Sequence, residues 1–351
     1  MVNKTKQAVN QTKQIERIEP AAGIPGGEVA IDCPNQSLNG APPLTVWFQD
    51  QLAHVVAATP NRALVLVPDL NTGAEIAVSV DSGGRAPGKP AHFVVARKLA
   101  GGIHPVTSPA FDPSDGSLFV TRSGARGEDV PVSLFRIGSD GKVEEFSGDI
   151  TNPTSIAFDR SGRMFVSSRF DGTVFRITPL NEVVVFASDL GIATGLAFNR
   201  AGEMFVGDRS GTIYRVNEIG EAKPWAQMEP SVSAYHLAFG PDDRLYVTGP
   251  TVSSFDSITR FDEDGEPSEF YRGLGRPQGL AFDDEGNLYV AASVRGRRGI
   301  VRISPDATQA EIVVAGMNLV GLAFSAKGDM VVATNEAVYS LPLGIFGTLL
   351  D

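Results

Sequence analysis

The segment GLAFDDEGNLYV, residues 279–290, recurs with variation six times in this chain of 351 residues. Each copy holds one phenylalanine at the same place, and these anchors lie 47, 40, 41, 43 and 42 residues apart. A period of about 40 residues indicates a repeat protein. The other copies are SPAFDPSDGSLFV from Ser108, SIAFDRSGRMFV from Ser155, GLAFNRAGEMFV from Gly195, HLAFGPDDRLYV from His236 and GLAFSAKGDMVV from Gly321.

Each repeat predicts four short β-strands. Two come from the phrase itself, a third from segments such as SLFRI, and a fourth from segments such as VEEF. All are alternating or aromatic and are bounded by turn residues such as Asp-Gly. Four strands per repeat is the pattern of a propeller blade, and neighbouring blades in a ring cover the faces that a single sheet would expose. Six repeats therefore predict a six-bladed β-propeller.

Closure of this ring needs one more strand, because the sixth repeat ends after AVYSLPL, residues 337–343. Leu99 precedes Phe111 by twelve residues, the same offset by which Phe146 precedes Phe158. We therefore predict that residues 94–100 pair with the last blade and close the ring. The C-terminal segment GIFGTLLD, residues 344–351, is the alternative.

The chain ahead of the propeller has a different pattern. Strand-like runs of four to six residues alternate with Gly, Pro and Asn turns, which predicts a small β-sandwich over residues 15–93. Residues 1–14 are polar and are expected to be a flexible N-terminus, and residues 94–351 form the propeller. A single cysteine, Cys33, excludes an intrachain disulfide.

Two family resemblances support this division. The phrase GLAFDDEGNLYVAAS, with an arginine in the following RI or RV segment, resembles the NHL repeat over residues 96–343. More distantly it is similar to gluconolactonase-type six-bladed propellers, so the fold leaves the function open. The fold class implied is all-β, an immunoglobulin-like β-sandwich followed by a six-bladed β-propeller. The residues that resemble an IPT/TIG domain, which is an immunoglobulin-like module, are Pro20, Gly23, Gly26-Gly27, Trp47-Phe48, Val67-Pro68 and Ser82-Gly83-Gly84.

The resemblance to the gluconolactonases implies a position for a divalent metal. In those propellers, Asn, Asp and Glu at the entry to the innermost strands hold a cation at the channel mouth, and such a cation prefers carboxylate oxygens. None of the corresponding residues here is Asp, Asn or Glu. We therefore predict no metal, no cofactor and no catalytic residue of that type, but a ring that could hydrogen-bond a ligand. Its members are Thr107, Thr154, Thr194, Tyr235, Gln278 and Val320.

Other catalytic patterns are missing from the sequence. It contains no GxSxG, HExxH or Walker motif, and no GxGxxG after a strand. The loops between second and third strands and the loops that link blades are expected on one side of the ring, which we call the channel face. His236 lies in or beside one of these loops and is a candidate ligand contact. The alternative is that it is a buried polar residue of its blade.

Charge gives a sharper hypothesis. The 30 Lys and Arg against 41 Asp and Glu leave a net charge of −11, which argues against a broadly basic nucleic-acid or membrane-surface binder. Five arginines are nevertheless assigned to channel-face loops of the fifth blade, without an acid among them. Guanidinium forks suit carboxylate and phosphate, so this patch is predicted to bind an anionic ligand or an acidic protein segment. A solvated, mobile RGRRG loop is the alternative. The five are Arg272, Arg276, Arg295, Arg297 and Arg298.

Another set of arginines recurs at one place in five repeats. A repeated structural hydrogen bond or ion pair explains such a set better than five binding sites do. Its members are Arg136, Arg176, Arg215, Arg260 and Arg302.

Three functions remain open at this stage. The first is a noncatalytic binding or scaffold protein that recognises a protein segment or a small anionic ligand on the channel face. The second is a divergent gluconolactonase-type hydrolase, and the third is RNA binding through the arginines of the fifth blade, which the net charge disfavours. With no apolar signal core and no run of 18 apolar residues, we expect a soluble, cytoplasmic protein without membrane partners.

Overall fold

The computed structural model describes residues 15–33, 44–59, 61–81, 90–125 and 127–348. Within these ranges the regular elements are strands and there is no helix, so the described chain has no helical segment able to span a membrane. The predicted all-β class is confirmed for this part of the chain. The predicted flexible segment, residues 1–14, lies outside the described residues.

Nine strands make up the N-terminal unit, which precedes the propeller. They form two sheets, in the orders β1-β3-β7-β6 and β2-β9-β8-β4-β5. The strands are β1 (Arg17–Glu19), β2 (Ala22–Gly23), β3 (Glu28–Asp32), β4 (Thr45–Phe48), β5 (Gln51–Leu52), β6 (His54–Ala58), β7 (Arg62–Leu66), β8 (Ala74–Asp81) and β9 (Ala91–Val95).

These two sheets share one apolar core and together make the N-terminal unit. Val29 and Val65 from the first sheet are fully buried in the same cluster as Phe48 and Phe93 from the second. The rings of Phe48 and Phe93 meet edge to face with 5.1 Å between their centroids. The alternation of the strands therefore buries one face of each sheet against the other.

The remaining strands form six four-stranded antiparallel blades, of which blades four and five are joined into one larger sheet by pairing between Leu274 and Val294. The innermost strands of consecutive blades contact each other, and the sixth contacts the first, so the blades form a ring. Blade one is β11 (Ala110–Phe111), β12 (Leu118–Thr121), β13 (Leu134–Ile137) and β14 (Val143–Ser147); blade two is β15 (Pro153–Phe158), β16 (Met164–Ser168), β17 (Thr173–Ile177) and β18 (Val183–Ala187); blade three is β19 (Ala193–Phe198), β20 (Met204–Asp208), β21 (Thr212–Val216) and β22 (Ala222–Gln227). Blade four is β23 (His236–Phe239), β24 (Leu245–Thr248), β25 (Asp256–Phe261) and β26 (Pro267–Gly275); blade five is β27 (Leu280–Phe282), β28 (Leu288–Val294), β29 (Arg297–Ile303) and β30 (Ala310–Ala315); blade six is β31 (Leu319–Phe324), β32 (Asp329–Thr334), β33 (Ala337–Pro342) and β10 (Arg97–Gly101).

Blade six takes its outer strand from the N-terminal side of the propeller. β10 pairs antiparallel with β33, with Arg97 opposite Ser340 and Gly101 opposite Ala337. The predicted closure by the N-terminal segment is confirmed, although Val94 and Val95 belong to β9 and the closing strand begins at Arg97. The C-terminal alternative is wrong, because residues 344–348 do not join the outer edge of blade six. They lie against the turns between the first and second strands of blades five and six, on the side of the ring that we call the tight-turn face.

The anchor phenylalanines explain why the phrase repeats. Five of the six pack on the aromatic residue in the second strand of the preceding blade, which joins neighbouring blades through a tilted or edge-to-face contact. At the sixth contact Phe111 instead packs in a cluster that contains Val331. The five aromatic pairs and their centroid distances are Phe119–Phe158 at 5.9 Å, Phe165–Phe198 at 5.4 Å, Phe205–Phe239 at 5.1 Å, Tyr246–Phe282 at 4.8 Å and Tyr289–Phe324 at 5.2 Å.

The outer strand of every blade carries a β-bulge at the same place. In blade one, Leu134 pairs with Ser147 and Phe135 with Glu145, so Phe146 is left unpaired and packs edge to face on Phe119 at 4.9 Å. Blade six repeats this irregularity at Leu99, which accounts for the twelve-residue offset in the sequence. The bulged residues of blades two to five are Phe186, Trp225, Phe270 and Val313.

The N-terminal unit is joined to blades five and six by backbone hydrogen bonds. Only Ala96 separates β9 from β10. Gly23 in β2 pairs parallel with Val95 in β9 on one side and with Ala315 in β30 on the other, so the second sheet of the unit continues into blade five. The backbone N–H of Ile24 donates to the Ala315 carbonyl at 2.9 Å. The junction is therefore a paired and packed interface.

Three of the five recurrent arginines form ion pairs on their own blades. Arg136 pairs with Asp115 at 2.6 Å, Arg215 with Glu203, and Arg302 with Glu311. For these three arginines the structural interpretation is confirmed.

Candidate functional site

The residues four positions before each anchor lie where neighbouring blades meet. Thr107 Oγ1 donates to the carbonyl oxygen of Thr154 at 2.5 Å, which links blades one and two. Ser167 Oγ donates to the Thr194 carbonyl at 2.9 Å, which links blades two and three. The backbone N–H of Tyr235 donates to Thr194 Oγ1 at 3.0 Å, which links blades three and four.

The same layer continues around the ring. Thr248 Oγ1 donates to the Gln278 carbonyl at 2.6 Å, between blades four and five. The N–H of Gly279 donates to the Val320 carbonyl at 3.1 Å, between blades five and six. These links and the next complete a hydrogen-bonded ring that we name the girdle. Its last link is from the N–H of Leu322 to Ser108 Oγ at 3.3 Å, between blades six and one.

The girdle changes the interpretation of the predicted ligand ring. Thr107, Thr154, Thr194 and Tyr235 are all at most 3% exposed. The Tyr235 hydroxyl donates to the Glu229 carbonyl, and burial raises the pKa of Tyr235 to about 12, with Asp208 and Glu229 adding to the effect. A ligand would have to compete with these internal hydrogen bonds. The sequence predicts correctly that these residues lie just before the innermost strands. It does not show that they hydrogen-bond between neighbouring blades.

A cavity of about 310 Å³ follows the ring axis and is lined by the innermost strands of all six blades. Its walls are mostly Leu, Ile, Ala and Phe side chains, which come from the repeated LAF phrase. Among the described residues that line this channel, the one titratable side chain is His236.

His236 occupies the first position of β23, where the other blades have serine or glycine. The residue is 6% exposed, and its Nε2 atom has no hydrogen-bond partner among the described residues. Burial lowers the pKa of His236 to about 4, so the imidazole is neutral at pH 7. The structure therefore places this candidate inside the channel wall, with an unsatisfied nitrogen.

The channel is covered at its tight-turn end by the C-terminal segment, a feature that the sequence analysis missed. Gly347 and Thr348 line the channel. The N–H of Thr348 donates to the Phe282 carbonyl at 3.0 Å, and Thr348 Oγ1 donates to the Asp283 carbonyl at 2.6 Å. The sequence shows that residues 344–351 follow the last strand, but it does not indicate where they pack.

Blade four exposes apolar side chains on the channel face. Val252 is 96% exposed, Phe255 is 59% exposed and Val232 is 47% exposed. The N–H of Val232 donates to the Pro250 carbonyl at 2.9 Å, so the two loops are held together. The guanidinium of Arg272 lies 5.7 Å from the centre of the Phe255 ring. We name Val232, Val252, Phe255 and Arg272 the blade-four surface.

The structure divides the predicted arginine patch. Arg272 lies on β26, the outer strand of blade four, and not in a loop of blade five; an acid, Glu269, is 3.8 Å from it. Arg276 is exposed in the loop that follows β26 and has a left-handed φ of 48°. The repeat spacing assigns Arg272 to the next blade because it cannot show how far the outer strand of blade four extends, whereas Arg276 lies in the loop that links blades four and five.

The remaining three arginines belong to a tight hairpin. Val294 pairs with Arg297, and the two residues between them, Arg295 and Gly296, have φ angles of 51° and 79°. Positive φ at both central residues is the pattern of a two-residue type I′ turn, which suits a hairpin. The RGRRG segment is therefore a two-residue hairpin turn with its flanking strand residues, and Arg295 is exposed to solvent at its tip. Arg298 is exposed on the same hairpin.

Arg297 reaches the N-terminal unit. Its guanidinium donates to the carbonyl oxygen of Glu19 and, at 3.4 Å, to that of Glu28. Arg297 is thus part of the junction and not free on the channel face. Repeat periodicity describes the propeller alone and cannot indicate what packs against it.

The chain matches no family model and no curated protein. It is similar in structure to an auxiliary nutrient binding protein from Bacteroides ovatus, with 15% identity and a TM-score of 0.54 over 97% of this chain and 99% of that one. A protein described as a putative gluconolactonase has 16% identity and a TM-score of 0.61 over 73% of this chain and 94% of that one. Regucalcin from Agrobacterium tumefaciens, described as a calcium-binding protein, has 16% identity and a TM-score of 0.57 over 74% and 98%.

These likenesses define a class of fold. The chain has the propeller fold that gluconolactonase-like and nutrient-binding proteins share, and at such identities the likeness extends to the fold alone. The nutrient-binding protein matches the N-terminal unit as well, whereas the gluconolactonase-like match is confined to about three quarters of the chain.

The divalent metal site that the gluconolactonase resemblance implies has no matching donor set among the described residues. Within the described residues, no three His, Cys, Asp or Glu side chains lie close enough together to hold a metal ion. The girdle offers hydroxyls and carbonyls that are already hydrogen-bonded between blades. A divalent cation needs negatively charged oxygens to replace its water shell, so these residues do not fit it.

Proposed function

We propose that this chain is a noncatalytic binding protein that recognises its ligand on the channel face of the propeller. The observation that carries the proposal is the composition of the channel wall. Its single titratable side chain in the described residues, His236, is neutral and has no hydrogen-bonded acid or base at Nε2. General acid–base hydrolysis of a lactone needs a positioned proton donor or acceptor with a suitable pKa.

The blade-four surface supports recognition of an acidic protein segment. Exposed Val252 and Phe255 offer apolar contact area, and aromatic and arginine side chains are the residues that dominate binding surfaces. The Arg272 guanidinium, stacked on Phe255, retains donors for a carboxylate. A segment that carries both an apolar side chain and a carboxylate would use both features, while a small anion would use the guanidinium alone.

The matches that extend over almost the whole chain include both a nutrient-binding protein and a putative phosphatase, so they are compatible with binding but do not separate it from hydrolysis. The chain and the nutrient-binding protein from Bacteroides ovatus cover each other almost completely, N-terminal unit included. We also propose that the repeats are NHL repeats and that the N-terminal unit is an IPT/TIG-like, immunoglobulin-like module. The repeated phrase supports the first assignment, and two sheets around one core support the second.

The test uses the full chain and three labelled probes: a peptide rich in Glu and Phe, the same peptide with Lys in place of Glu, and a single-stranded RNA. We expect the acidic peptide to bind and the double variant Phe255→Ser with Arg272→Gln to weaken it about tenfold or more. The matched control is Phe170→Ser, since Phe170 is exposed on blade two at 49%.

Two further measurements separate the alternatives. Turnover of gluconolactone, with or without added calcium, would favour the hydrolase and overturn the proposal. Retention of the RNA with a steep salt dependence, at the expense of the acidic peptide, would favour nucleic-acid binding. If citrate competes with the peptide, and the double variant abolishes this competition, the small anion uses the same surface.

A further inference from the structure

A cleft of about 510 Å³ lies between the N-terminal unit and the outer strands of blade five. Its walls carry an unusual number of guanidinium groups for a chain with a net charge of −11. Two glutamates, Glu19 and Glu311, also line it. The arginines are Arg17, Arg62, Arg295, Arg297 and Arg302.

Three of the five arginines are already paired with acids. Arg17 and Arg62 both pair with the Glu19 carboxylate, and Arg62 also lies 3.5 Å from Asp32, which is outside the cleft. Arg302 pairs with Glu311 on its own blade. The two carboxylates that line the cleft, those of Glu19 and Glu311, are therefore already in ion pairs.

The other two guanidiniums have no carboxylate within ion-pair distance among the described residues. Arg297 donates to the neutral carbonyls of Glu19 and Glu28, and its Nε atom is buried without a hydrogen-bond partner in the described chain. Burial and the nearby charge of Arg62 lower the pKa of Arg297, and the carboxylates of Glu19 and Glu28 offset only part of this effect. Arg295 is exposed at the tip of the hairpin.

We propose that this cleft binds a small anion with at least two phosphate or carboxylate groups. Guanidinium forks match both groups with paired hydrogen bonds. The volume falls in the usual range of small-molecule sites, and junctions between units are a frequent place for them. The site is additional to the proposed channel-face recognition, because different residues carry it.

The position of the site adds a consequence. Arg295 and Arg297 belong to blade five, whereas Glu19 and Ala21 on the other wall of the cleft belong to the N-terminal unit, so a bound anion would lie between the two parts of the chain. Bound anion is therefore expected to protect the backbone N–H groups of Glu19 and Ala21 from hydrogen exchange.

The experiment is calorimetric titration of the full chain at low ionic strength with pyrophosphate, citrate and inorganic phosphate. We expect pyrophosphate or citrate to bind, and the better of the two identifies the group recognised. Arg295→Gln and Arg297→Gln should each weaken binding about tenfold or more, because each removes a charged hydrogen bond. Arg244→Gln is the control, since it removes the same charge from an exposed turn of blade four.

Arg295→Gln keeps the test decisive if Arg297→Gln disturbs the junction. Binding that is equal in the Arg295→Gln and Arg244→Gln proteins would overturn the site. So would the absence of heat with all three anions at millimolar concentration. Protection of the Glu19 and Ala21 N–H groups in the wild type, but not in the Arg295→Gln protein, would place the anion in the cleft.

Discussion

Gly27 of the N-terminal unit lies directly against Ala315 at the end of blade five. A Cβ atom added at Gly27 would be 2.5 Å from the Ala315 carbonyl oxygen and 2.7 Å from its carbon. That carbonyl also accepts the hydrogen bond from Ile24 that joins the two units. The close approach of two backbones at this point requires glycine.

We expect Gly27→Ala to lower the free energy of unfolding by about 2 kcal/mol or more, since neither backbone segment can move without breaking a hydrogen bond. Chemical denaturation measures the effect. The neighbouring Gly26→Ala is the control, because Gly26 has a φ of 77° but nothing within 4 Å of its added Cβ. It should cost only the left-handed strain of about 1 kcal/mol. Equal losses in the two variants would argue against the close contact.

The girdle predicts a cost for removing one hydroxyl. Ser167 Oγ accepts from the N–H of Ser155 at 3.0 Å and donates to the Thr194 carbonyl at 2.9 Å. Ser167→Ala leaves a buried donor and a buried acceptor unpaired, which should destabilise the protein by about 2–4 kcal/mol. Thermal unfolding of Ser188→Ala, at an exposed serine of the same blade, provides the comparison and should change little.

The aromatic contact between blades predicts a larger loss. Phe205 packs on Phe239 of the next blade at 5.1 Å and on Trp225 of its own blade at 4.9 Å. Phe205→Ala removes both contacts and leaves a cavity, so a loss of about 3–5 kcal/mol is expected in denaturant unfolding. Phe170→Ala, at a half-exposed ring, should lose far less. A small effect at Phe205 would mean that the blades are held mainly by other contacts.

His236 predicts a dependence of stability on pH. Its pKa is about 4 in the folded protein, below the ordinary value of 6.5 that the unfolded chain regains. As the pH falls below 6.5 the unfolded state takes up the proton first, so the contribution of this group to stability is present above pH 6.5 and is lost toward pH 4. Between pH 7 and pH 5 this amounts to about 2 kcal/mol.

The measurement compares wild type with His236→Gln by urea unfolding at both pH values. Carboxylates titrate in both proteins, so only the difference between them reports on His236. The wild type should lose about 2 kcal/mol more than the variant. Equal losses would show that the imidazole gains a proton-stabilising partner on folding.

The sequence was a good guide to the ring and a poor one to its surroundings. The phrase around Phe282 and Tyr289 repeats because an anchor ring packs on an aromatic partner in the preceding blade. The repeat period of the sequence therefore reflects this packing between blades. Leu99 could be assigned to the last blade because it occupies the bulge of an outer strand, and this bulge fixes its distance in sequence from the next anchor phenylalanine.

The candidate site could not be predicted in the same way, because the repeat period shows neither which way a side chain points nor what packs against the propeller. Thr107 and Thr194 occur at the expected level, but whether a hydroxyl faces the channel or the next blade depends on the twist of the sheets. Arg297 was assigned to the channel face, yet it packs on Glu19, which is far from it in sequence. Contacts between unlike units leave no repeated signal.

The pairing of Arg97 with Ser340 also constrains the order of folding. During synthesis the outer strand of blade six emerges before any blade is complete, and its partner emerges last. Until then an unpaired strand edge remains exposed, which invites association with other chains. Because closing so long a loop is slow, ring closure is expected to be the late step of folding. The nascent protein is therefore exposed to association with other chains until its two distant segments pair.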